Sequence, residues 1–274
     1  MKLQEKFIEL RNKKQGLLAT NFYNFETLEG VLRAAKSTNQ PLILQLTRSS
    51  INYLGLPVAF NLAKSMLDYH GVEGWVHLDH GDSYELVAQC LDIGFDSVMI
   101  DASEQSFADN IAVTSRVVKL AESYGANVEA ELGYIAKLGQ DKDGSGFTQP
   151  AEAKQFVEAT GVDALAVAIG TAHGFYDKEP KLDLALLSKI NLATDATLVL
   201  HGGSGVPGES LRQAIDSGIC KINLATEIKN IFMQTLKTRL ATNEEIDLRK
   251  VFPFATNQII ELVKGKLEIV RTAK

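Results

Sequence analysis

The sequence contains little cysteine and no surplus of basic charge, and both shortages narrow the class of protein. Cys90 and Cys220 are its two cysteines, and they lie far apart in apolar surroundings. This is typical of packed, reduced thiols rather than of a disulfide framework or a cysteine metal site. The chain has 28 Lys and Arg residues against 34 Asp and Glu, a net charge of −6, and its basic residues are scattered. Nucleic acid is therefore not an expected partner.

Long hydrophobic segments are also missing. No apolar run approaches membrane-spanning length, and Met1–Lys14 alternates charged and apolar residues at helical spacing without an apolar signal core. We therefore expect a cytoplasmic protein with no membrane partner and with a helix at its N-terminus. The composition, 45% hydrophobic and 23% charged residues over 274 positions, is that of an ordinary globular protein with ample material for a core.

Strand-like apolar runs alternate with amphipathic segments along the whole chain. Eight runs have the length of buried strands: Leu17–Thr20, Leu42–Leu46, Trp75–Leu78, Ser97–Ile100, Asn127–Ala130, Leu165–Ile169, Thr197–Leu200 and Ile219–Ile222. Helical periodicity marks several segments between them: Ser83–Leu91, Ala108–Tyr124, Ala151–Ala159 and Leu182–Ile190. Since no linker or composition break interrupts this order, the sequence predicts an α/β fold, one (βα)8 TIM barrel over residues 1–274 with an extra N-terminal helix.

Polar side chains cluster where the predicted strands end, which is where barrel enzymes carry their chemistry. They are His77, Asp79, His80, Asp101, Glu129, Glu131, His173, His201 and Asn223. His80, His173 and His201 follow three different strands, and three neutral imidazoles leave a zinc ion one open position. The sequence therefore predicts a catalytic metal site. His77 lies inside a strand and is predicted to be a packed or supporting residue, and His70 to lie at the end of a helix.

A glycine-rich turn follows the seventh predicted strand and predicts a phosphate site. Gly202, Gly203 and Ser204 come directly after His201, and glycine lets backbone N–H groups converge on an anion. The eighth strand is followed by Asn223, Ala225 and Thr226, which open a helix whose N-terminal amides attract negative charge. Two neighbouring strand ends of this kind form the usual phosphate site of a TIM barrel.

Six segments, in order, resemble the class II zinc-dependent ketose-bisphosphate aldolases, most closely the fructose- and tagatose-bisphosphate aldolases. The segments are His77–Gly81, Val98–Ser103, Glu129–Gly133, Ala168–Gly174, Leu200–Gly205 and Ile222–Thr226. The resemblance implies a TIM barrel that reversibly cleaves a ketose 1-phosphate or ketose bisphosphate into dihydroxyacetone phosphate and an aldehyde. It also implies a homo-oligomer, a dimer or a tetramer.

The same resemblance implies roles for individual residues. His80, His173 and His201 would bind the catalytic zinc, and Asp79 would donate a proton to the carbonyl of the aldehyde half. Asp101 and Glu131 would hold a second, non-catalytic metal, and the family allows a monovalent cation as well. The residues implied for dihydroxyacetone phosphate are Gly174, Gly202, Gly203, Ser204, Asn223, Leu224, Ala225 and Thr226. Zinc acting as a Lewis acid makes a lysine Schiff base unnecessary.

The sequence departs from the family at the loop after the fifth strand. Family members carry two glycines and an acidic pair there, whose glutamate moves the C3 proton of dihydroxyacetone phosphate. No glutamate stands between Glu131 and Glu152 in this chain, so Asp141, or else Asp143, is the candidate base. The Tyr134–Pro150 stretch has no convincing helix and is predicted to be a lid or a disordered connection.

A second departure concerns the far end of the substrate. Many bisphosphate members bind the distal phosphate with an arginine that shortly follows an Asp-Pro-Arg motif. Ungapped counting from Asp247–Lys250 puts Thr256 at that position. Because a hydroxyl cannot replace a bidentate phosphate partner, we expect an aldehyde half that lacks a phosphate or carries another acidic group bound by Arg48 or Arg249.

Two other functions remain open at the level of sequence. A metal-dependent barrel hydrolase would use zinc to activate water, although the first strand lacks the paired histidines common in such enzymes. A non-catalytic barrel that binds a sugar phosphate is compatible with the altered loop. Loss of cleavage on chelation of the metal would distinguish the aldolase from a binding protein.

Overall fold

Eight parallel strands close into a barrel in the computed structural model, which describes residues 1–133, 136–137, 146–176 and 179–271. The barrel strands are β1 (Leu17–Asn21), β2 (Leu42–Thr47), β3 (Gly74–Gly81), β4 (Ser97–Ile100), β5 (Asn127–Leu132), β7 (Ala164–Val167), β9 (Thr197–Leu200) and β10 (Ile219–Leu224). They follow one another around the barrel in chain order, and β10 pairs with β1 to close it. The predicted TIM barrel is confirmed.

Two short strands lie outside the barrel. The strand β6 (Ala136–Lys137) pairs in parallel with β8 (Ala172–His173). This pairing joins the loop that follows β5 to the loop that follows β7. Within the predicted lid, residues 134–135 and 138–145 lie outside the described residues, and the candidate bases Asp141 and Asp143 are among them.

Helices surround the barrel within the described residues. They are α1 (Leu3–Asn12), α2 (Phe25–Thr38), α3 (Arg48–Leu54), α4 (Leu56–His70), α5 (Tyr84–Ile93), α6 (Phe107–Glu122), α7 (Pro150–Thr160), α8 (Leu184–Ala193), α9 (Gly208–Asp216), α10 (Thr226–Leu240) and α11 (Leu248–Arg271). None of the helices in these described ranges combines the length and the apolar content needed to cross a bilayer.

The extra N-terminal helix closes one end of the barrel. Leu3 and Phe7 of α1 are buried against Leu17, Ile43 and Trp75, which point into the barrel from its strands. This apolar plug seals the N-terminal ends of the strands. The C-terminal ends remain open, which is the arrangement expected of a barrel enzyme.

Local sequence signals set the helix ends. Asn24 and Ser106 accept hydrogen bonds from the third backbone N–H of α2 and α6, at 2.9 and 3.2 Å, and so cap these helices. Gly94 ends α5 in a left-handed conformation that glycine adopts without steric cost. Such caps fix the residues at which each helix begins and ends.

Strand alternation divides the side chains between two environments. In β3, Val76 and Leu78 join the layer between barrel and helices, whereas His77 and Asp79 are buried outside that layer. In β5, Glu129 and Glu131 are buried in the same alternating way between apolar neighbours that face the helices. Because side chains in a strand alternate with a period of two, the polar set points into the barrel.

The long C-terminal helix α11 packs closely against α2. A Cβ atom added to Gly30 would lie 2.8 Å from Ile259 Cγ2 and 3.1 Å from the Thr256 carbonyl oxygen. Thr256 is buried in this contact, and its hydroxyl lies 3.4 Å from the Glu26 carbonyl oxygen. The position singled out for a missing arginine therefore packs one helix against another and does not line the cleft described below.

This contact gives a stability prediction. Gly30→Ala should lower the free energy of unfolding by roughly 1–2 kcal/mol, because crowding of Ile259 outweighs the gain in helix propensity. Gly265→Ala is the matched control, since no atom lies within 4 Å of its added Cβ in the same pair of helices. It should raise stability by up to about 1 kcal/mol. Urea denaturation of both variants measures the difference, and equal effects would contradict the packing.

Candidate active site

A cleft of about 750 Å³ opens at the C-terminal ends of the barrel strands. Its walls come from the exits of β1, β2, β3, β4, β5, β9 and β10 and from the loop that follows β7. The predicted residues His80, Asp101, Glu131 and His173 line it together with Asp79. The strand-exit pattern in the sequence thus corresponds to one site.

Three imidazole rings meet at the base of this cleft, where His80 and His173 line it and His201 is fully buried. The ring centre of His80 lies 5.0 Å from that of His173 and 4.7 Å from that of His201, and the last two centres are 6.0 Å apart. One nitrogen from each ring lies within 4.8 Å of the others. His173 Nε2 and His201 Nδ1 are buried and have no hydrogen-bond partner among the described residues. Unpaired, converging nitrogens of this kind fit a metal ion.

The backbone at His80 explains how β3 supplies two neighbouring residues to one cleft. His80 has a φ of +49°, and the β3–β4 register shifts between Leu78 and Gly81. In a regular strand, consecutive side chains point to opposite faces. The left-handed residue breaks that alternation, so Asp79 and His80 both face the cleft.

Two carboxylates surround the histidine cluster. Asp101 Oδ2 lies 2.7 Å from His80 Nδ1, and Glu131 Oε2 lies 2.9 Å from His201 Nδ1. His80, Asp101 and Glu131 also bring one ligand atom each within 4.8 Å of one another. The two acidic residues implied for a second metal therefore lie next to the first group rather than apart from it.

Burial and charge shift the pKa values of the three imidazoles in different directions. Burial, helped by the neighbouring histidines, lowers the pKa of His173 to about 4. Burial opposes protonation of His201 as well, but the neighbouring carboxylates of Glu129 and Glu131 outweigh it and raise the pKa of His201 to about 10. The cluster therefore combines an easily available lone pair on His173 with a ring held between two carboxylates.

Asp79 is held by side-chain amides from three strands. Asn21 Nδ2 donates to its Oδ2 at 3.0 Å, and Gln45 Nε2 and Asn223 Nδ2 donate to its Oδ1 at 3.0 and 3.3 Å. Burial alone would raise the pKa of Asp79, yet the nearby cations, His80 foremost, and the Asn21 amide hold it below its ordinary value. Three donors fix the carboxylate beside His80, whose Nε2 is 4.0 Å away.

The predicted phosphate site forms between the exits of β9 and β10. Gly202 has a φ of +66°, and an added Cβ would collide with the Ala172 carbonyl oxygen, so only glycine fits this turn. The Tyr176 hydroxyl donates to the Gly202 carbonyl oxygen at 2.8 Å and holds the turn in place. The Ser204 hydroxyl accepts from the Ala225 and Glu227 amides, both at 3.3 Å, at the start of α10.

The residues implied for dihydroxyacetone phosphate divide into two groups. Six of them line the cleft: Gly174, Gly202, Ser204, Asn223, Ala225 and Thr226. Gly203 and Leu224 do not. The Gly203 N–H donates to the Asn223 carbonyl oxygen at 3.1 Å, and the Leu224 side chain is buried against the surrounding helices. Strand alternation directs the Leu224 side chain outward, toward the helices. Both residues therefore support the turn from the side away from the cleft.

A chain of buried polar contacts lies below the histidines. Glu129 accepts from His201 Nε2 at 2.9 Å through one oxygen and from Lys221 Nζ at 2.7 Å through the other. Lys221 Nζ is also 3.4 Å from His77 Nε2, and the opposite ring nitrogen of His77 pairs with Ser97 Oγ at 2.8 Å. Burial, aided by Lys221, lowers the pKa of His77 to about 3. The prediction of a supporting role for His77 agrees with this position.

Comparisons with known proteins identify the family. A sequence model described as fructose-bisphosphate aldolase class-II matches residues 1–274. The chain belongs to the class II fructose-bisphosphate aldolase family. A fructose-bisphosphate aldolase of Geobacillus stearothermophilus is 36% identical over 271 residues, which cover 97% of this chain and 94% of the relative. One of Helicobacter pylori is 34% identical over an alignment of 304 residues, covering 100% of this chain and 98% of the relative.

A solved aldolase structure supports the same assignment from the fold. The YdjI aldolase of Escherichia coli K12 superposes with a TM-score of 0.87 at 30% identity, over 99% of this chain and 97% of that one. The protein is therefore a class II aldolase, a lyase that breaks a carbon–carbon bond. Of the functions left open by the sequence, this decides for the aldolase over the hydrolase and the binding protein.

The two arginines considered for the far end of the substrate of this aldolase are both engaged elsewhere. Arg48 forms a two-pronged ion pair with Asp82, with Nε 2.5 Å from Oδ2, and its Nη2 also donates to Ser83 Oγ at 2.7 Å. Arg249 is exposed at the start of α11 and pairs with Asp247 at 2.9 Å. Neither guanidinium is presented to the cleft as an unpaired anion site.

Sequence analysis missed several residues that build the aldolase site. Asn21 and Gln45 hold Asp79, Lys221 pairs with Glu129, and Tyr176 fixes the phosphate turn. A signal existed for three of them, since Asn21, Gln45 and Lys221 are polar residues inside otherwise apolar strand runs. Tyr176 had no comparable signal, because its role depends on how the loop folds.

The geometry predicts which histidine substitution removes the metal. His173→Ala should abolish tight zinc binding, because it deletes one of three converging imidazoles. His70→Ala is the control, since His70 ends α4 and pairs with Glu29 at 2.8 Å away from the cleft. Zinc content of the two purified variants, measured by atomic emission, is the test. Full zinc occupancy in His173→Ala would refute the assignment.

Proposed function

We propose that the protein is a zinc-dependent aldolase that reversibly cleaves a ketose 1-phosphate into dihydroxyacetone phosphate and an aldehyde whose far end carries no phosphate. The observation that carries the proposal is the joint occurrence, in one cleft, of three converging imidazoles and a glycine-rich phosphate turn beside the start of α10. Cleavage of a ketose phosphate needs both, one for the carbonyl end and one for the phosphate.

Each chemical task has a candidate group in the cleft. Zinc bound by His80, His173 and His201 would act as a Lewis acid and stabilise the negative charge that develops on the three-carbon half. In the cleavage direction the Asp79 carboxylate takes the proton of the C4 hydroxyl, and in the condensation direction it returns that proton. The three amide donors keep this carboxylate at one place for both directions.

The positions of the two lysines nearest the histidine cluster argue against a mechanism in which a lysine forms a Schiff base with the substrate. Lys221 is buried in an ion pair with Glu129 below the histidines, where a substrate carbonyl cannot reach it. Lys229 lines the cleft from α10, with its ammonium 5.5 Å from the centre of the Tyr23 ring. It lies on the surface rather than in the desolvated pocket that activates a nucleophilic lysine.

Charge in the cleft supports a substrate without a distal phosphate. The described lining residues include five carboxylates: Asp79, Asp82, Asp101, Glu104 and Glu131. Lys229 is the one Lys or Arg among them. A bisphosphate would bring two dianions toward this surface, and only one of them has a site built from backbone amides and a helix start. Thr47, Ser49 and Gln105 offer hydroxyl and amide groups that suit a neutral, hydroxylated chain.

Further properties follow from the family resemblance. Asp101 and Glu131, close to His80, are the proposed ligands of a second metal, and a monovalent cation is a proposed further ion. Asp141 remains the proposed base for the C3 proton. We further expect a cytoplasmic, single-domain homo-oligomer, a dimer or tetramer. The exposed Ile246 and Leu248 at the start of α11 agree with a surface covered by another subunit.

Removal of the proposed proton carrier should stop chemistry without emptying the site. Asp79→Ala should keep zinc and the affinity for dihydroxyacetone phosphate but lower kcat by roughly a hundredfold or more, as loss of a general acid or base does. Steady-state kinetics and zinc analysis of the same preparation test this. If zinc disappeared together with activity, Asp79 would be a structural residue of the metal site instead.

Substrate preference provides the main test of the proposal. Release of dihydroxyacetone phosphate should be followed for fructose 1-phosphate, tagatose 1-phosphate and their bisphosphates, with and without a zinc chelator. We expect chelation to abolish release, and kcat/KM to be at least about tenfold lower for each bisphosphate than for its 1-phosphate. Highest activity on a bisphosphate would overturn the distal part of the proposal.

A substitution at the rim sharpens that comparison. Asp82→Ala removes one carboxylate and releases Arg48 from its ion pair, so the bisphosphate should gain kcat/KM relative to the matching 1-phosphate. Asp163→Asn serves as the control, because Asp163 accepts from the Val128 N–H at 2.8 Å away from the cleft and carries the same charge. An unchanged ratio in Asp82→Ala would show that rim charge does not select the substrate.

A further inference from the structure

The interior of this barrel contains a charged layer where other barrels carry branched apolar side chains. Lys221, Glu129 and His77 lie between the apolar plug of Trp75 and Leu17 and the histidine cluster, and each is at most 1% exposed. In the strand register Glu129 lies between Met99 of β4 and Ala164 of β7, and the small Ala164 leaves room for long side chains on that side. The charged layer therefore belongs to the interior of the barrel and not to its surface.

Every oxygen of Glu129 has a defined partner. One oxygen faces His201 Nε2 at 2.9 Å and the other faces Lys221 Nζ at 2.7 Å. Lys221 in turn approaches His77 Nε2, which lies 3.9 Å from the same Glu129 oxygen. Because Lys221 saturates one side of the carboxylate, the other side is left to accept from His201.

This arrangement determines which nitrogen of His201 is available in the cleft. A metal ligand must offer an unprotonated nitrogen, and the proton of a neutral imidazole lies where an acceptor meets it. Glu129 provides that acceptor at Nε2 through a hydrogen bond. Glu131 Oε2 lies 2.9 Å from Nδ1 but makes no hydrogen bond with it, so Nδ1 is left with the lone pair. We propose that Glu129 is a positioning residue that fixes the ring and the tautomer of His201, and that Lys221 acts by holding Glu129 in place.

The inference rests on the zinc site of the proposed function. The energetic cost of the buried Lys221–Glu129 ion pair gives a physical reason for it. A buried ion pair is expensive to desolvate, and apolar residues of equal volume are often as stable or more stable. Packing therefore does not by itself account for Lys221 and Glu129. Partners behind a metal-binding histidine are worth about 10–100-fold in metal affinity, which does account for them.

Two double variants isolate the acceptor from the charge. Glu129→Gln/Lys221→Met keeps an oxygen for His201, and the amide N–H can turn toward His77 Nε2 in place of the ammonium. Glu129→Leu/Lys221→Met removes the acceptor as well. Both double variants lack the ion pair. They differ only in whether residue 129 is Gln or Leu, two side chains of similar size. We expect the first to bind zinc within a few-fold of the unsubstituted protein and the second about 10–100-fold more weakly.

The single variant Glu129→Gln gives an independent prediction. With Lys221 still present, the ammonium attracts the amide oxygen, and the amide N–H turns toward His201 Nε2. That moves the proton of His201 to Nδ1 and blocks the ligand nitrogen, so zinc binding should weaken at least about tenfold. Adding Lys221→Met should restore it. Recovery of a metal site by a second substitution is not expected if the pair only stabilises the barrel.

Zinc affinity is measured by competition with a chelator of known affinity, and the stability of each metal-free protein by urea denaturation. The chain has five histidines, so ¹⁵N shifts of labelled histidine report the His201 tautomer directly. Equal zinc affinity in Glu129→Gln and Glu129→Gln/Lys221→Met would overturn the inference, even if Glu129→Leu/Lys221→Met does not fold. If the unsubstituted protein binds no zinc, the proposed function itself fails. The ¹⁵N shifts of the metal-free protein, recorded at alkaline pH where the His201 ring is neutral, still test the role of Glu129.

Discussion

The left-handed backbone at His80 is the constraint on which the site depends. A regular strand would send Asp79 and His80 to opposite faces, and one of them would be buried among helices. The φ of +49° costs on the order of 1 kcal/mol for a residue other than glycine, and the 2.7 Å contact between His80 and Asp101 helps to offset it. One strand can then direct both a carboxylate and an imidazole into the cleft, and the remaining groups are arranged around this pair.

The cleft offers different parts of the chain to a cation and to an anion. Negative charge is concentrated on side chains around the histidines, where it favours a bound cation. Under the proposed function the phosphate would be held by the glycine-rich turn and the start of α10 instead of by side-chain cations, without disturbing the carboxylates nearby. Separation of these roles would allow an anion and a metal to bind in the same cleft.

The periodicity of the sequence predicts the barrel well, because eight buried strands that alternate with helices allow few other topologies. Strand ends also predict which side chains meet, since the C-terminal ends of parallel strands share one rim. The orientation of single residues was beyond such reasoning. His80 breaks its strand's alternation, and Gly203 and Leu224 lie behind the turn they were expected to line. The structure places Thr256 between α11 and α2 and not in the cleft, which ungapped counting cannot show because it takes no account of how helices pack.

The C-terminal helix contributes to the site indirectly. Through its contact with α2 it is fixed along the barrel, and Lys266 near its end lies 3.1 Å from Glu227 in the first turn of α10. The same Glu227 oxygen accepts from the Gly205 N–H, which closes the phosphate turn. Without Lys266, the partly buried Glu227 carboxylate would stand unpaired beside the proposed phosphate site and repel an anion there. The C-terminal helix would thus support the proposed phosphate binding by pairing this acidic residue, while Thr256 of the same helix packs against α2.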